Sequence, residues 1–104
     1  MSIDDLRRRI DEIDEQLVTL LNERSKCALE IGRLKRELGI DVYQPDREAE
    51  VHRHARSCSE QNGGPLDADA IRRIFERIID EARHIERATA RGDGAPAGRA
   101  RTED

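Results

Sequence analysis

Aromatic residues are almost absent from this sequence, which contains no Trp, one Tyr and one Phe among its 104 residues. A core without large aromatic side chains has to be built from Leu, Ile, Val and Ala. Such a core suits helices that pack on helices and argues against a large β-sandwich or barrel. We therefore expect an all-α fold.

Long apolar runs are absent as well. No stretch approaches the roughly 20 apolar residues of a membrane span, and none resembles the apolar segment of a signal peptide. The two cysteines, Cys27 and Cys58, form no repeated pattern. These absences predict a cytoplasmic protein with reduced thiols and no contact with a membrane.

The sequence also lacks an excess of charge of one sign. It carries 19 Lys and Arg against 23 Asp and Glu, a formal net charge of -4, and the two signs are interleaved. A nucleic-acid-binding domain would concentrate basic residues on one face, so we expect no nucleic-acid partner. A charged fraction of 40% and a mean hydropathy of -0.85 would indicate disorder only if the apolar residues were scattered, and they are not.

A long amphipathic pattern dominates the first third of the chain. From Ile3 to Leu38 apolar residues recur at alternating steps of three and four, interrupted at Arg24, and Gly39 follows as an end signal. A helix of this length measures about 54 Å, whereas a globular chain of about 100 residues has a radius of gyration of about 13 Å. The chain cannot cover such a helix alone, so we expect an obligate homodimer.

Two shorter helices are expected after the long one. Pro45 suits the first turn of a second helix over about 45–60, and the Asn62–Pro65 segment breaks the chain. Asp67 is then the expected N-cap of a third helix, with Leu66 placed to pack against Ile71.

The apolar periodicity stops near the C-terminus. After about residue 90 the sequence consists mainly of Arg, Gly, Ala, Pro and Thr. We therefore expect one helical domain over 1–90 and a disordered tail over 91–104.

Arg24 is the most informative single residue because it occupies an apolar position of the long stripe. A guanidinium at such a position needs an anion. Lys35 lies close to three helical turns later, and Arg7 lies on a neighbouring strip near the start of the helix. These three cations could bind an anionic ligand, or they could form ion pairs between helices.

Acidic residues accompany these cations on the other helices. Glu86 follows Ala82 by four positions, at the edge of the third apolar stripe, where its carboxyl could be partly desolvated or remain at the surface. Arg47 and Glu48 open the second helix, where they could serve a site or only the helix dipole.

Signatures of metal or cofactor sites are missing. His54 and Cys58 are four residues apart, but a full ligand set does not accompany them. We see no Gly-rich phosphate loop and no Cys/His catalytic spacing. We therefore expect no metal and no cofactor.

A wider set of residues runs in a fixed order through the three expected helices. It comprises Leu6-Arg7, Ile10, Asp14, Leu17, Leu20-Leu21, Glu23-Arg24, Ile31-Gly32, Lys35, Pro45-x-Arg47-Glu48, Leu66-Asp67, Phe75 and Ile78-Ile79. In this order and spacing, over about residues 3–88, the sequence resembles the all-helical chorismate mutases. The resemblance implies three helices per chain and an intertwined homodimer with two active sites.

The resemblance implies the conversion of chorismate to prephenate, a step of aromatic amino acid biosynthesis in the shikimate pathway. This reaction is a unimolecular Claisen rearrangement that needs no cofactor and no covalent intermediate. By resemblance, Arg7 from one subunit and Arg24 from the other would clamp the substrate carboxylates. Lys35 would bridge a carboxylate and the ether oxygen, and Glu86 would donate a hydrogen bond to that oxygen.

The polar end of the implied site is less clearly defined. By resemblance, Arg47 would support it and Glu48 would accept a hydrogen bond from the C4 hydroxyl. Gln44 stands where the family often has Asp, and Ala82 where it can have Ser. The substrate therefore stays open between chorismate and its relatives, because enzymes of this fold also act on 4-amino-4-deoxychorismate or eliminate pyruvate from isochorismate.

An interpretation of a different class is a non-catalytic helical dimerisation module in which every charge named above forms an ion pair. The two interpretations differ at Arg24. In a dimerisation module its replacement by Leu should stabilise the apolar stripe, whereas in an enzyme it should abolish turnover. Regulation by a partner enzyme is left open by the sequence.

Overall fold

Three α-helices form the whole of the regular structure in residues 1–90, the part of the chain described by this computed structural model. Helix α1 spans Ile3–Leu38, α2 spans Pro45–Asn62 and α3 spans Ala68–Ala90. The predicted all-α fold with a very long first helix is confirmed, and α2 runs two residues further than expected. The tail predicted to be disordered, 91–104, lies outside the described residues.

The helix ends are formed by local hydrogen bonds and by glycine. The Asp5 N–H donates to Ser2 Oγ at 3.1 Å and the Ser2 N–H donates to Asp5 Oδ2 at 3.1 Å, a reciprocal cap at the start of α1. Helices α1 and α2 are followed by Gly39 and Gly63, with φ of +71° and +70°. This left-handed conformation carries no steric cost for glycine, so both helices end where glycine is available.

Asp67 caps the start of α3 as predicted. Its Oδ1 accepts a hydrogen bond of 2.8 Å from the Ala70 N–H. We expect Asp67→Ala to lower the free energy of unfolding by about 1 kcal/mol, because this N–H then has no side-chain acceptor. Urea unfolding at one fixed protein concentration measures the change. Asp67→Asn keeps an acceptor oxygen and should stay within a few tenths of a kcal/mol; equal losses in both variants would contradict a capping role.

The three helices form a flat, elongated molecule. The principal extents are 52, 38 and 16 Å and the radius of gyration is 16.8 Å, larger than the roughly 13 Å of a compact chain of about 100 residues. An α-helix with its side chains is about 10–12 Å thick, so the molecule is little more than one helix deep. Helix α3 packs against both α1 and α2, but no Cα atom of α1 lies within 8 Å of α2 in the described chain.

A single layer of helices buries few residues. Only Gly32, Ala55 and Ile79 are buried among residues 1–90. The apolar stripe of α1 is exposed along its length; Leu17, for example, keeps 50% of its surface and Leu20 59%. No helix of this part of the chain has an apolar stretch sufficient to cross a membrane. Residues 1–90 of this chain therefore leave the apolar stripe of α1 largely uncovered.

Candidate active site

A cavity of about 250 Å³ lies between the three helices and the connector that joins α1 to α2. Its lining mixes charged side chains with apolar ones such as Ile31, Val51 and Ile79. Of the eight residues predicted to form the site, seven line this cavity: Arg24, Lys35, Gln44, Arg47, Glu48, Ala82 and Glu86. The structure thus brings together residues from all three helices that lie far apart in the sequence.

Helix α1 supplies two cations to one wall of the cavity. Arg24 and Lys35 are eleven residues apart, three turns of helix, so both face the same side. Both are half-buried. The Lys35 ammonium donates to the Val42 carbonyl at 3.4 Å, which ties its side chain to the connector. The wall is therefore cationic and partly shielded from water.

Glu86 faces these cations from α3. It is half-buried, and burial raises the pKa of its carboxyl, while the positive charges of Lys35, Arg36 and Arg24 act in the opposite direction. Desolvation is the larger effect, so the neutral acid is favoured at higher pH than in an exposed glutamate.

A glycine in the second half of α1 lies beside this carboxyl. A Cβ atom on Gly32 would lie 3.6 Å from Glu86 Oε2, in van der Waals contact. Gly32 is one of the few buried positions of the molecule. An Ala at this position would meet Glu86 at an ordinary van der Waals distance, so Gly32 marks a close contact between α1 and α3. Glycine costs up to about 1 kcal/mol in helix propensity here relative to Ala.

Glu48 enters the cavity at the start of α2 and is held there by Arg83 of α3. Two guanidinium nitrogens take part: Nε donates to Glu48 Oε2 at 2.8 Å, and Nη2 donates to Oε1. These hydrogen bonds lower the pKa of the Glu48 carboxyl, so it is an anion at neutral pH.

Arg83 was not among the residues predicted from the sequence, although it also lines the cavity. It follows Ile79 by four positions and precedes Glu86 by three, on one face of α3. This spacing is the only feature of the sequence that would have placed Arg83 beside Glu86 at the site. The ion pair itself spans 35 residues of sequence, and no local pattern indicates it.

The remaining polar residues lie at the open end of the cavity. Gln44 and Arg47 are exposed, and the Arg47 guanidinium donates to Glu50 at 3.3 Å across one turn of α2. An exposed pair of this kind contributes little to stability, so Arg47 is available to a ligand at small cost. Ala82 places only a methyl group at the cavity wall.

Arg7 is the one predicted site residue that lies away from the cavity. Seventeen residues of helix separate it from Arg24, about 26 Å along α1. A straight helix cannot bring both side chains to one ligand of ordinary size. Arg7 therefore cannot serve the cavity of its own chain.

The arrangement is suited to a small organic anion. Four cations and two carboxylates line a partly desolvated cavity with apolar walls, where electrostatic attraction is stronger than in water. On α2, His54 Nε2 lies 3.7 Å from Cys58 Sγ, and no group of three or more metal-ligating His, Cys, Asp or Glu is found within residues 1–90.

Comparisons with known proteins find similar sequences and structures. The family model described as Chorismate mutase type II matches residues 6–87. A solved structure of chorismate mutase (form II) from Thermus thermophilus is similar with a TM-score of 0.75 and 34% identity, covering 82% of this chain and 93% of that one.

Two curated relatives carry further information. A bifunctional chorismate mutase/prephenate dehydratase of Pseudomonas aeruginosa is 38% identical over 86 residues, which are 78% of this chain but 23% of that protein. The chain thus spans about a quarter of the length of such bifunctional relatives. A 4-amino-4-deoxychorismate mutase of Streptomyces pristinaespiralis is 32% identical over 94 residues, with 90% of this chain and 71% of that protein covered.

Proposed function

The chain belongs to the type II chorismate mutase family, and from this membership we propose that it catalyses the rearrangement of chorismate to prephenate in the cavity between its three helices. The observation that carries the proposal is the convergence of Arg24, Lys35 and the half-buried Glu86 on one partly apolar cavity. A cytoplasmic location and a role in aromatic amino acid biosynthesis form part of the proposal. The first rests on the two free thiols and the second on the dehydratase named in the Pseudomonas relative.

The first task of the site is conformational. Chorismate is a flexible dicarboxylate, and its two reacting carbon ends must be held close together before a bond can form between them. Arg24, together with Arg7 of a second copy of the chain, would provide planar donors that match the two carboxylates, and Arg47 would support the polar end of the site. Binding then holds both carboxylates in fixed positions. The entropic cost of ordering the substrate is met on binding and no longer adds to the barrier of the reaction step.

The second task is electrostatic. As the ether C–O bond breaks and the new C–C bond forms, negative charge develops on the ether oxygen, and no proton has to leave or enter. The Lys35 ammonium and a protonated Glu86 carboxyl are the donors proposed for that oxygen. Donors fixed in a cavity of low polarity stabilise such charge more than mobile water does.

A second copy of the chain completes the proposed site. The flat molecule leaves the apolar stripe of α1 exposed, and Arg7 lies about 26 Å from Arg24 on the same helix. Two copies paired along α1 would cover both stripes and bring Arg7 of each copy to the cavity of the other. We infer an obligate homodimer with two composite sites.

Subunit mixing tests the composite site. Arg7→Ala and Arg24→Ala should each abolish most activity. When the two variants exchange subunits at random, each heterodimer should hold one site with both arginines intact and one site with neither. About a quarter of the wild-type activity should return, because half the dimers are mixed and each has one working site.

Subunit exchange has to be demonstrated separately, for example by mass spectrometry of differently tagged chains. A mixture of each variant with wild type is the reference, because its heterodimers keep one intact site without any rescue of one variant by the other. Full exchange with no recovery would contradict the sharing of Arg7 between subunits.

Two enzymatic alternatives use the same cavity. The Streptomyces relative supports 4-amino-4-deoxychorismate as substrate, and isochorismate is the other candidate. The purified protein should be assayed with all three compounds by their loss of ultraviolet absorbance. We expect chorismate to be consumed fastest. Consumption of none of them would favour a dimerisation module over an enzyme.

A further inference from the structure

The ion pair between Glu48 and Arg83 borders two cavities. Both residues line the 250 Å³ cavity of the proposed site, and both also line a neighbouring cavity of about 620 Å³ that opens toward Arg36, Tyr43 and Arg87. Glu48 retains 25% of its side-chain exposure and Arg83 39%. The pair therefore lies at a boundary that a ligand in the smaller cavity would reach.

Arg83 changes what Glu48 can offer to that ligand. Each carboxylate oxygen of Glu48 already accepts one hydrogen bond from the guanidinium, through Nε and Nη2. Each oxygen keeps one further lone pair, so a hydroxyl donor can still be accepted. The negative charge, however, is already matched by a neighbouring positive charge at hydrogen-bond distance.

A neutral hydroxyl and an ammonium respond differently to this surrounding. A hydroxyl needs only an acceptor oxygen, and Arg83 leaves one available. An amino group on such a carbon resembles an alkylamine such as that of Lys, with a pKa of about 10, so it is protonated at pH 7 and would meet both the carboxylate and the guanidinium. The repulsion from Arg83 offsets much of its attraction to Glu48.

We propose that Arg83 is a specificity-determining residue, which makes the cavity favour a substrate with a hydroxyl over one with an ammonium at the carbon that faces Glu48. This inference rests on the proposed function, since it assigns the C4 end of the substrate to Glu48. It acts through charge, because the guanidinium is held against the Glu48 carboxylate by two hydrogen bonds.

Paired substitutions at Arg83 separate charge from hydrogen bonding. Arg83→Gln removes the positive charge and keeps an N–H donor for Glu48, whereas Arg83→Lys keeps the charge and loses the planar two-point contact. The measurement is kcat/KM for chorismate and for 4-amino-4-deoxychorismate. We expect Arg83→Gln to raise the ratio of the amino to the hydroxyl substrate roughly tenfold, and Arg83→Lys to change it less than about threefold.

Two further variants make the result specific. Arg77→Gln alters an exposed arginine of the same helix, paired with Glu81 at 2.5 Å and outside both cavities, so it should leave both rates unchanged. Glu48→Gln leaves the guanidinium without its counter-charge and should lower the amino-to-hydroxyl ratio below that of wild type. Circular dichroism verifies that each variant folds. If Arg83→Gln does not fold, the lower ratio expected of Glu48→Gln still tests the role of Arg83, and an unchanged ratio there would contradict it.

The outcomes distinguish this inference from the proposed function. Chorismate turnover by wild type with an unchanged ratio in Arg83→Gln would overturn the role of Arg83 and leave the mutase activity intact. An equal rise of the ratio in Arg83→Lys would show that geometry, not charge, controls selection, and would also overturn it. Failure of wild type to convert either substrate would overturn the proposed function itself.

Discussion

Replacing Lys35 by Ala should lower kcat by about a hundredfold or more while KM changes much less. The ether oxygen of chorismate, the proposed partner of Lys35, carries little negative charge in the bound substrate and gains it only as the C–O bond breaks. A donor fixed against that oxygen therefore contributes mainly to the transition state. Loss of one such preorganised donor typically costs a factor of about 10² to 10³ in kcat.

The position of Lys35 supports an effect of this size. Its side chain is half-buried, and the ammonium is held toward the connector by the Val42 carbonyl. The Lys35 side chain is therefore already ordered before the reaction, and no ordering of this donor adds to the barrier. Lys26→Ala, at an exposed position of the same helix, is a suitable control and should retain full activity. A Lys35→Ala protein with altered KM and normal kcat would assign Lys35 to substrate binding instead.

Activity should decline as pH rises through the pKa of Glu86, because only its protonated carboxyl can donate to the ether oxygen. Burial raises this pKa above its ordinary value, so the decline begins at higher pH than for an exposed glutamate. In kcat/KM the decline reports the free enzyme, and in kcat it reports the complex. The groups that face Glu86 are the cations Lys35, Arg36 and Arg24, which lower its pKa, and Glu48, which raises it.

Two substitutions at Glu86 isolate this titration. Glu86→Gln keeps an N–H donor and has nothing to titrate, so its pH profile should be flatter and its rate should exceed that of wild type on the alkaline side. Glu86→Ala has no donor, and we expect a loss of about a hundredfold at every pH. Matching pH profiles of wild type and Glu86→Gln would exclude Glu86 as the titrating donor.

The sequence was sufficient to predict features that repeat along one helix. The steps of three and four from Ile3 to Leu38 predicted α1 to the residue, because a stripe on one helix depends only on its own periodicity. Asp67 could be predicted as a cap for the same reason, since a cap concerns one turn of chain. Most of the candidate site came from the resemblance, which relies on residues of three separate helices in one order.

Features that depend on contact between helices were not predictable in this way. The pairing of Glu48 with Arg83 and the close approach of Gly32 to Glu86 arise only when α3 lies against its neighbours. In the sequence, Glu48, Arg83 and Glu86 look like ordinary charged residues at a helix surface. Gly32 looks like an isolated glycine of low helix propensity. Their roles become visible only in three dimensions.

Since no Cα atom of α1 lies within 8 Å of α2 in the described chain, a ligand in the cavity would add contacts between two helices whose backbones stay apart. Arg24 and Lys35 lie on one of them, Arg47 and Glu48 on the other. Ligand binding and local unfolding of α2 are then thermodynamically linked: each opening of α2 weakens binding, and each bound ligand makes opening rarer. Release of the product would remove the added contacts, so α2 should open more often in the free protein than in the complex.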